Sequence, residues 1–163
     1  MAESAGQQLK EIPPAKAGML IHRPPEQVFQ ALADRSIATR FWFTKSSGDL
    51  APDATVQWEW EMYGVTKTVT VREFEQNRLI VADWGSDDDT PTTFKIRFIP
   101  WGQDTYVDVT ETGFTGTTDE IIAGVLDSTA GWTMVLSVVK AHLEHDIILT
   151  LVADKAPPEG LEL

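Results

Sequence analysis

The chain has 163 residues, with 13 Lys plus Arg against 25 Asp plus Glu and a formal net charge of −12. That length suits one domain, and an apolar fraction of 42% with 9% aromatics supplies a core, so neither wholesale disorder nor two full domains fit. The acidic balance without any Lys/Arg cluster argues against a nucleic acid partner, and the absence of Cys removes disulfides, thiolate nucleophiles and Cys-containing zinc sites.

Residues 1–16 are polar and small and end in Pro13 and Pro14, which reads as a flexible N-terminal arm. Residues 153–163, with Pro157, Pro158 and Gly160, read as a flexible C-terminal tail, leaving a single domain over 17–152. The N-terminal stretch lacks the apolar centre of a signal peptide, and no run reaches the roughly 18 apolar residues of a membrane span. The expectation is a soluble, cytoplasmic protein without a membrane span.

The first segment, Ala17 to His22, is short and apolar, and Pro24-Pro25-Glu26 ends it and opens a helix. Val28, Phe29 and Leu32 give that helix its apolar stripe, and a second short helix is predicted over Ser36 to Phe41. From Trp42 to Glu111 the period changes to two. Val56, Trp58, Trp60 and Met62 alternate with Gln57, Glu59 and Glu61, and the same pattern returns at Val69 and Val71, at Phe94, Ile96 and Phe98, and at Val107 and Val109. With Leu79 to Trp84 between them, these segments predict an antiparallel meander with one dry face.

After Gly113 and Gly116 a helical period runs from Thr118 to Asp146, with Thr117 and Glu120 at capping-box spacing. Ile122, Val125, Leu126, Thr129, Trp132, Leu136, Val139 and Leu143 form the expected buried stripe. At about 1.5 Å per residue such a helix is roughly 43 Å long, enough to cross six or seven strands spaced about 4.8 Å apart. The segment Ile147 to Val152 stays apolar beyond it, which suits either a cover over the sheet edge or a contact with a second subunit.

Motifs for chemistry are sparse. His142, Glu144, His145 and Asp146 share a helix end but lack a third ligand at metal spacing, and Asp87, Asp88 and Asp89 lack the pattern of a calcium loop. His22 ends the first strand, where it faces either way. Glu59 and Glu61 fall on the solvent face, and Asp83 lies opposite Trp84. No nucleophile with a base, phosphate cradle or nucleotide fingerprint stands out, so no catalytic residue, metal or cofactor is predicted.

The order of elements is that of the helix-grip α+β fold: a curved antiparallel sheet of six to seven strands wrapped on a long C-terminal helix, with two short helices after strand 1. Pro24-Pro25-Glu26-Gln27-Val28-Phe29-Gln30-Ala31-Leu32 resembles the opening of the SRPBCC (START/Bet v 1-like) superfamily. Thr105-Tyr106-Val107-Asp108-Val109-Thr110-Glu111-Thr112-Gly113-Phe114, followed by Gly131-Trp132 and Leu136, resembles its AHSA1-like branch, the homologues of the activator of Hsp90 ATPase. The resemblance covers residues 17 to about 147. It implies a cavity between sheet and helix, in a superfamily of hydrophobic-ligand carriers, polyketide cyclases, hormone receptors and co-chaperone domains, with a stress-related role by association alone.

On that fold, Phe41, Trp42, Trp58, Trp60, Trp84, Phe94, Phe98, Val109, Leu126, Thr129, Trp132, Thr133 and Leu136 are the candidate cavity residues, with entry gated near Phe41 and Trp42. The same aromatics can instead fill the space as core. Gly131, costly in mid-helix, fits either close approach of a ligand or a hinge, or close packing of the helix on the sheet beside Trp132. The leading expectation is binding of a small hydrophobic molecule. The alternatives are a co-chaperone-like module with a chaperone partner and a cyclase-like enzyme, in a monomer or homodimer.

Overall fold

The structure, a computed structural model, describes residues 10–163; the first nine residues of the arm expected over 1–16 lie outside the described part. Strand β1 (Ala15–Ile21) is followed by helices α1 (Pro25–Ala33) and α2 (Arg35–Ala38), then by strands β2 (Lys45–Ser46), β3 (Thr55–Trp60), β4 (Val65–Glu75), β5 (Leu79–Gly85), β6 (Thr92–Trp101) and β7 (Asp104–Thr112). Helices α3 (Thr118–His145) and α4 (Leu151–Asp154) complete the chain.

The seven strands form one antiparallel sheet in the order β1-β7-β6-β5-β4-β3-β2, so a meander is closed by the first strand returning to the last. Period-two patterning sets its faces. Phe94, Ile96 and Phe98 on β6 are buried while Lys95 and Arg97 point out, and Val107 and Val109 do the same beside Asp108. A register shift between Val71 and Glu73 increases the local twist and helps the sheet curl. This is the helix-grip architecture that the sequence suggested.

Three boundaries differ from the expectation. β1 starts at Ala15 rather than Ala17, and α2 is one turn that ends at Ala38, so Phe41 and Trp42 sit in irregular chain. The alternation through Met62 stops at Trp60. Glu61–Tyr63 form a tight 3-10 turn closed by Gly64 at φ 60°, which leaves Met62 exposed instead of in the dry face.

Helix α3 begins with the predicted capping box: Thr117 Oγ1 accepts from the Glu120 N–H, and the Glu120 carboxylate accepts from the Thr117 N–H at 2.9 Å. Gly116, at φ 119°, makes room for that returning carboxylate, since a Cβ there would stand 2.2 Å from Glu120 Oε2. The helix ends at Asp146 in the left-handed region. By length and composition α3 could cross a membrane, but here it is the core helix of the domain, packed along β1, with Trp132, Val135, Leu136, Val138 and Val139 buried.

The expected apolar stripe holds only for the C-terminal half of α3. In the N-terminal half Ile122 and Leu126 face solvent, at 42% and 66% exposure, because the face turned toward the sheet is Gly124, Ser128, Gly131 and Val135, at i, i+4, i+7 and i+11. Side chains as small as Ser128 and Gly131 leave a gap between that part of the helix and the sheet unfilled. Beyond Asp146 the chain leaves the helical path: Ile147 and Ile148 are half exposed, whereas Leu149 and Val152 pack on the core.

Candidate functional site

The gap under the N-terminal half of α3 is a cleft of about 860 Å³. Its inner wall is aromatic, from Trp42, Trp60, Trp84 and Trp132, and its outer rim carries Tyr63, Asp89, Thr90, Thr115 and the segment Lys155 to Pro157. The four indoles support one another: Trp42 and Trp132 centroids lie 5.3 Å apart, Trp84 and Trp132 5.5 Å, and Trp60 and Trp84 6.3 Å. Behind them Trp58 stacks on Phe43 at 4.3 Å and lies parallel to Phe94, which makes the wall rigid.

Gly131 borders the cleft, and a Cβ built on it meets nothing within 4 Å. The glycine therefore borders open volume, and the helix is not packed closely on the sheet at this position.

Just behind the wall sits a buried carboxylate, Glu111, at 4% exposure. Oε1 accepts from Trp132 Nε1 and Ser128 Oγ, both at 2.8 Å; Oε2 accepts from Thr92 Oγ1 at 2.7 Å and Trp84 Nε1 at 3.2 Å. Sheet strands β5, β6 and β7 and helix α3 thus meet at one side chain. Four donors fill the usual acceptor positions of a carboxylate, so this group is a clamp that orients the cleft-lining indoles and hydroxyls.

A second charge lies on the dry face. Lys67 follows Val65 and precedes Val69 and Val71 at period two on β4, and its Nζ stands 4.0 Å from the centroid of the Trp84 ring. Burial pulls the ammonium below its ordinary value, and the carboxylates of Glu111, Asp89 and Asp127 oppose that pull. Asp127 is itself engaged by Lys155 at 2.9 Å across the rim.

Of the candidate cavity residues, the structure brings Trp42, Trp60, Trp84 and Trp132 together around the cleft. Trp58, Phe94, Val109 and Leu136 are fully buried behind the wall, and Phe98 packs edge-on against Phe29 at 5.1 Å, toward α1. Leu126 is outside, on the solvent face of α3. Thr129 and Thr133 donate to the carbonyls of Val125 and Thr129 on their own helix, so their hydroxyls are spent locally. Phe41 is buried against His142 at 5.8 Å and borders no entry; the rim is formed by the turn at Asp89–Thr90 and by the C-terminal segment.

That segment, the start of the tail expected over 153–163, lies against the domain. Tyr63 OH donates to the carbonyls of Val152 and Ala153, and Val152, Lys155, Ala156 and Pro157 border the cleft.

The cluster at the end of α3 does not converge on a metal. Glu144 accepts from Lys140 Nζ at 2.7 Å and from the His22 N–H at 3.1 Å, His142 turns toward Phe41, and His145 is exposed. Among the described residues no group of three or more His, Asp or Glu could hold an ion.

Glu111 and Lys67 are site residues that sequence reasoning passed over. Both were visible in principle. Extending the alternation Val107, Val109 by one step reaches Glu111, and extending Val71, Val69 backwards by one step reaches Lys67.

A curved antiparallel sheet gripping a long C-terminal helix around a cleft defines a helix-grip protein of the START/Bet v 1-like superfamily. Within that class, the family model described as activator of Hsp90 ATPase homolog 1-like protein matches residues 22–144, and the chain belongs to this family.

Among solved structures, the protein SSP2350 from Staphylococcus saprophyticus is 27% identical with a TM-score of 0.71, over 84% of this chain and 96% of that one. The Aha1 dimer from Colwellia psychrerythraea is 18% identical with a TM-score of 0.71, over 82% and 97%. DynU16, from the dynemicin biosynthetic locus, is 15% identical with a TM-score of 0.71 over 82% of this chain, which spans about half of it, 48%. The last two likenesses are of fold. No curated protein sequence gives a significant match.

Proposed function

We propose that the protein binds a small hydrophobic molecule in the cleft between sheet and α3. The observation that carries this reading is the combination of a cleft of about 860 Å³ with four indole walls and a mid-helix glycine that leaves it open. Ligand sites commonly fall at about 300–1,000 Å³, with apolar walls and a few fixed polar groups. Glu111 supplies the fixing, since it immobilises Trp84, Thr92, Ser128 and Trp132 at once.

A cyclase-like reaction on the same scaffold needs an ionisable group free to exchange a proton with its substrate. The acceptor positions of Glu111 are occupied by protein donors, so binding is favoured over catalysis at this carboxylate. A co-chaperone role places the working surface outside and makes the cleft incidental.

The test is titration with Nile red, a neutral apolar dye. The wild type should show saturable one-site fluorescence enhancement, and Gly131→Leu, which fills the cleft from the helix side, should weaken it at least about tenfold while the protein stays folded. Equal dye binding by both proteins would contradict the reading. So would salt-sensitive retention of a chaperone, undiminished by Gly131→Leu, in a protein that takes up no dye.

A further inference from the structure

The ligand's charge can be read from the polar groups that the cleft leaves unspent. Five charged side chains bear on it. Glu111 is occupied by its four donors, and Asp127 and Lys155 neutralise each other. Asp89 sits in the exposed turn at the rim, where water solvates it.

Lys67 is different. It projects from the dry face of β4 into the cleft wall, its ammonium lies on the Trp84 ring at 4.0 Å, and among the described residues it makes no salt bridge. The contact with the indole is a partial substitute for an anion, and it uses one side of an ammonium that carries three N–H donors. Beyond the ring, the oxygens of Glu111 are turned to the indole N–H groups and the hydroxyls of Ser128 and Thr92. A cation on the dry face, with donors free and aromatic walls beside it, fits an anionic head attached to an apolar body.

We propose that the cleft selects apolar monocarboxylic acids, the carboxylate meeting Lys67 and the body lying against Trp42, Trp60, Trp84 and Trp132. This rests on the cleft being the binding site. It adds the charge and polarity of the ligand. The reduced basicity that burial imposes on Lys67 agrees with it, because an arriving anion restores the partner that water supplied elsewhere.

The experiment is calorimetric titration with three probes of one shape: 2-naphthylacetate, 2-naphthylacetamide and 2-(2-naphthyl)ethylamine. The wild type should bind the acid about tenfold or more tightly than the amide, and the amine most weakly. Lys67→Met should abolish the preference for the acid over the amide, and Lys67→Arg should retain most of it.

Equal binding of acid and amide by the wild type, preference for the amine, or an acid preference that survives in Lys67→Met would each overturn the proposal while leaving the cleft as a binding site. Failure of all three probes to bind would overturn the cleft reading and this one together. The ranking of the three probes by the wild type decides the matter even if a variant proves unstable.

Discussion

Trp132 and Glu111 join the long helix to the sheet through one buried contact, the indole Nε1 donating to the carboxylate Oε1 at 2.8 Å. Because Oε1 also takes Ser128 and Oε2 takes Trp84 and Thr92, the same carboxylate fixes both walls of the cleft. An indole N–H only donates, whereas a hydroxyl can reverse its role. That asymmetry determines what substitutions do.

Glu111→Gln places an amide NH₂ against one indole and one hydroxyl; the hydroxyl can turn and accept, the indole cannot. The expected loss is about 1–3 kcal/mol of stability, that of one unpaired buried donor. Glu111→Ala strands all four donors and leaves a void, and should cost more, about 4 kcal/mol or beyond. Urea denaturation of the three proteins checks the order.

Gly131→Ala should stabilise the protein. The position is helical, its Cβ would meet open space, and Ala is favoured over Gly in a helix interior by about 1 kcal/mol. A rise in the urea midpoint with unchanged slope is the expected result. A loss of stability would mean that the helix is closer to the sheet than described.

Stability should fall in acid in a way that depends on Glu144. Burial alone would raise its pKa, but the Lys140 ammonium and the His22 N–H outweigh burial and hold the carboxyl below its ordinary value of 4.5. A group depressed in the folded state contributes stability that is present above its unfolded value and is lost as pH drops through the folded one. The denaturation midpoint should therefore change little from about pH 6 to pH 5 on account of this group and decline below about pH 4.5, with a shallower decline in Glu144→Gln. Asp83 acts in the same direction: Thr93 and Arg72 outweigh its burial.

Tyr63→Phe should free the C-terminal rim without unfolding the core. The phenol binds the Val152 and Ala153 carbonyls, while the neighbouring pair of Lys155 and Asp127 is exposed and worth little on its own. Hydrogen exchange should quicken at residues 150–157 and stay unchanged in β6 and β7. Equal protection in both proteins would show that the segment is held by its packing alone.

The fold was legible in the sequence because it rests on strong periodic signals: the two-residue alternation in Phe94, Ile96 and Phe98, the Thr117–Glu120 cap, and a helix long enough to span a sheet. The cleft was legible only in part. Its Trp walls announce themselves as large residues on a dry face, but the space between them is left by Ser128 and Gly131 on the inward face of α3, residues that a search for apolar stripes discards. That is why Leu126, an apolar member of the expected stripe, lies outside. Glu111 and Lys67 were hidden by their charge, since an acid or base at the end of an apolar alternation is read as the point where the strand turns to solvent. Which donor pairs with which acceptor is a three-dimensional fact, and no spacing in the chain reports that Trp84 and Trp132 converge on one carboxylate.

Native mass spectrometry of gently purified protein, wild type beside Gly131→Leu, tests the central claim most directly. The account predicts one small apolar molecule bound per chain in the wild type, either carried through purification or taken up from a panel of apolar acids, alcohols and amides, and none in the cleft-filled variant. A wild type that stays empty across the panel, or a variant that binds as well as the wild type, would contradict it.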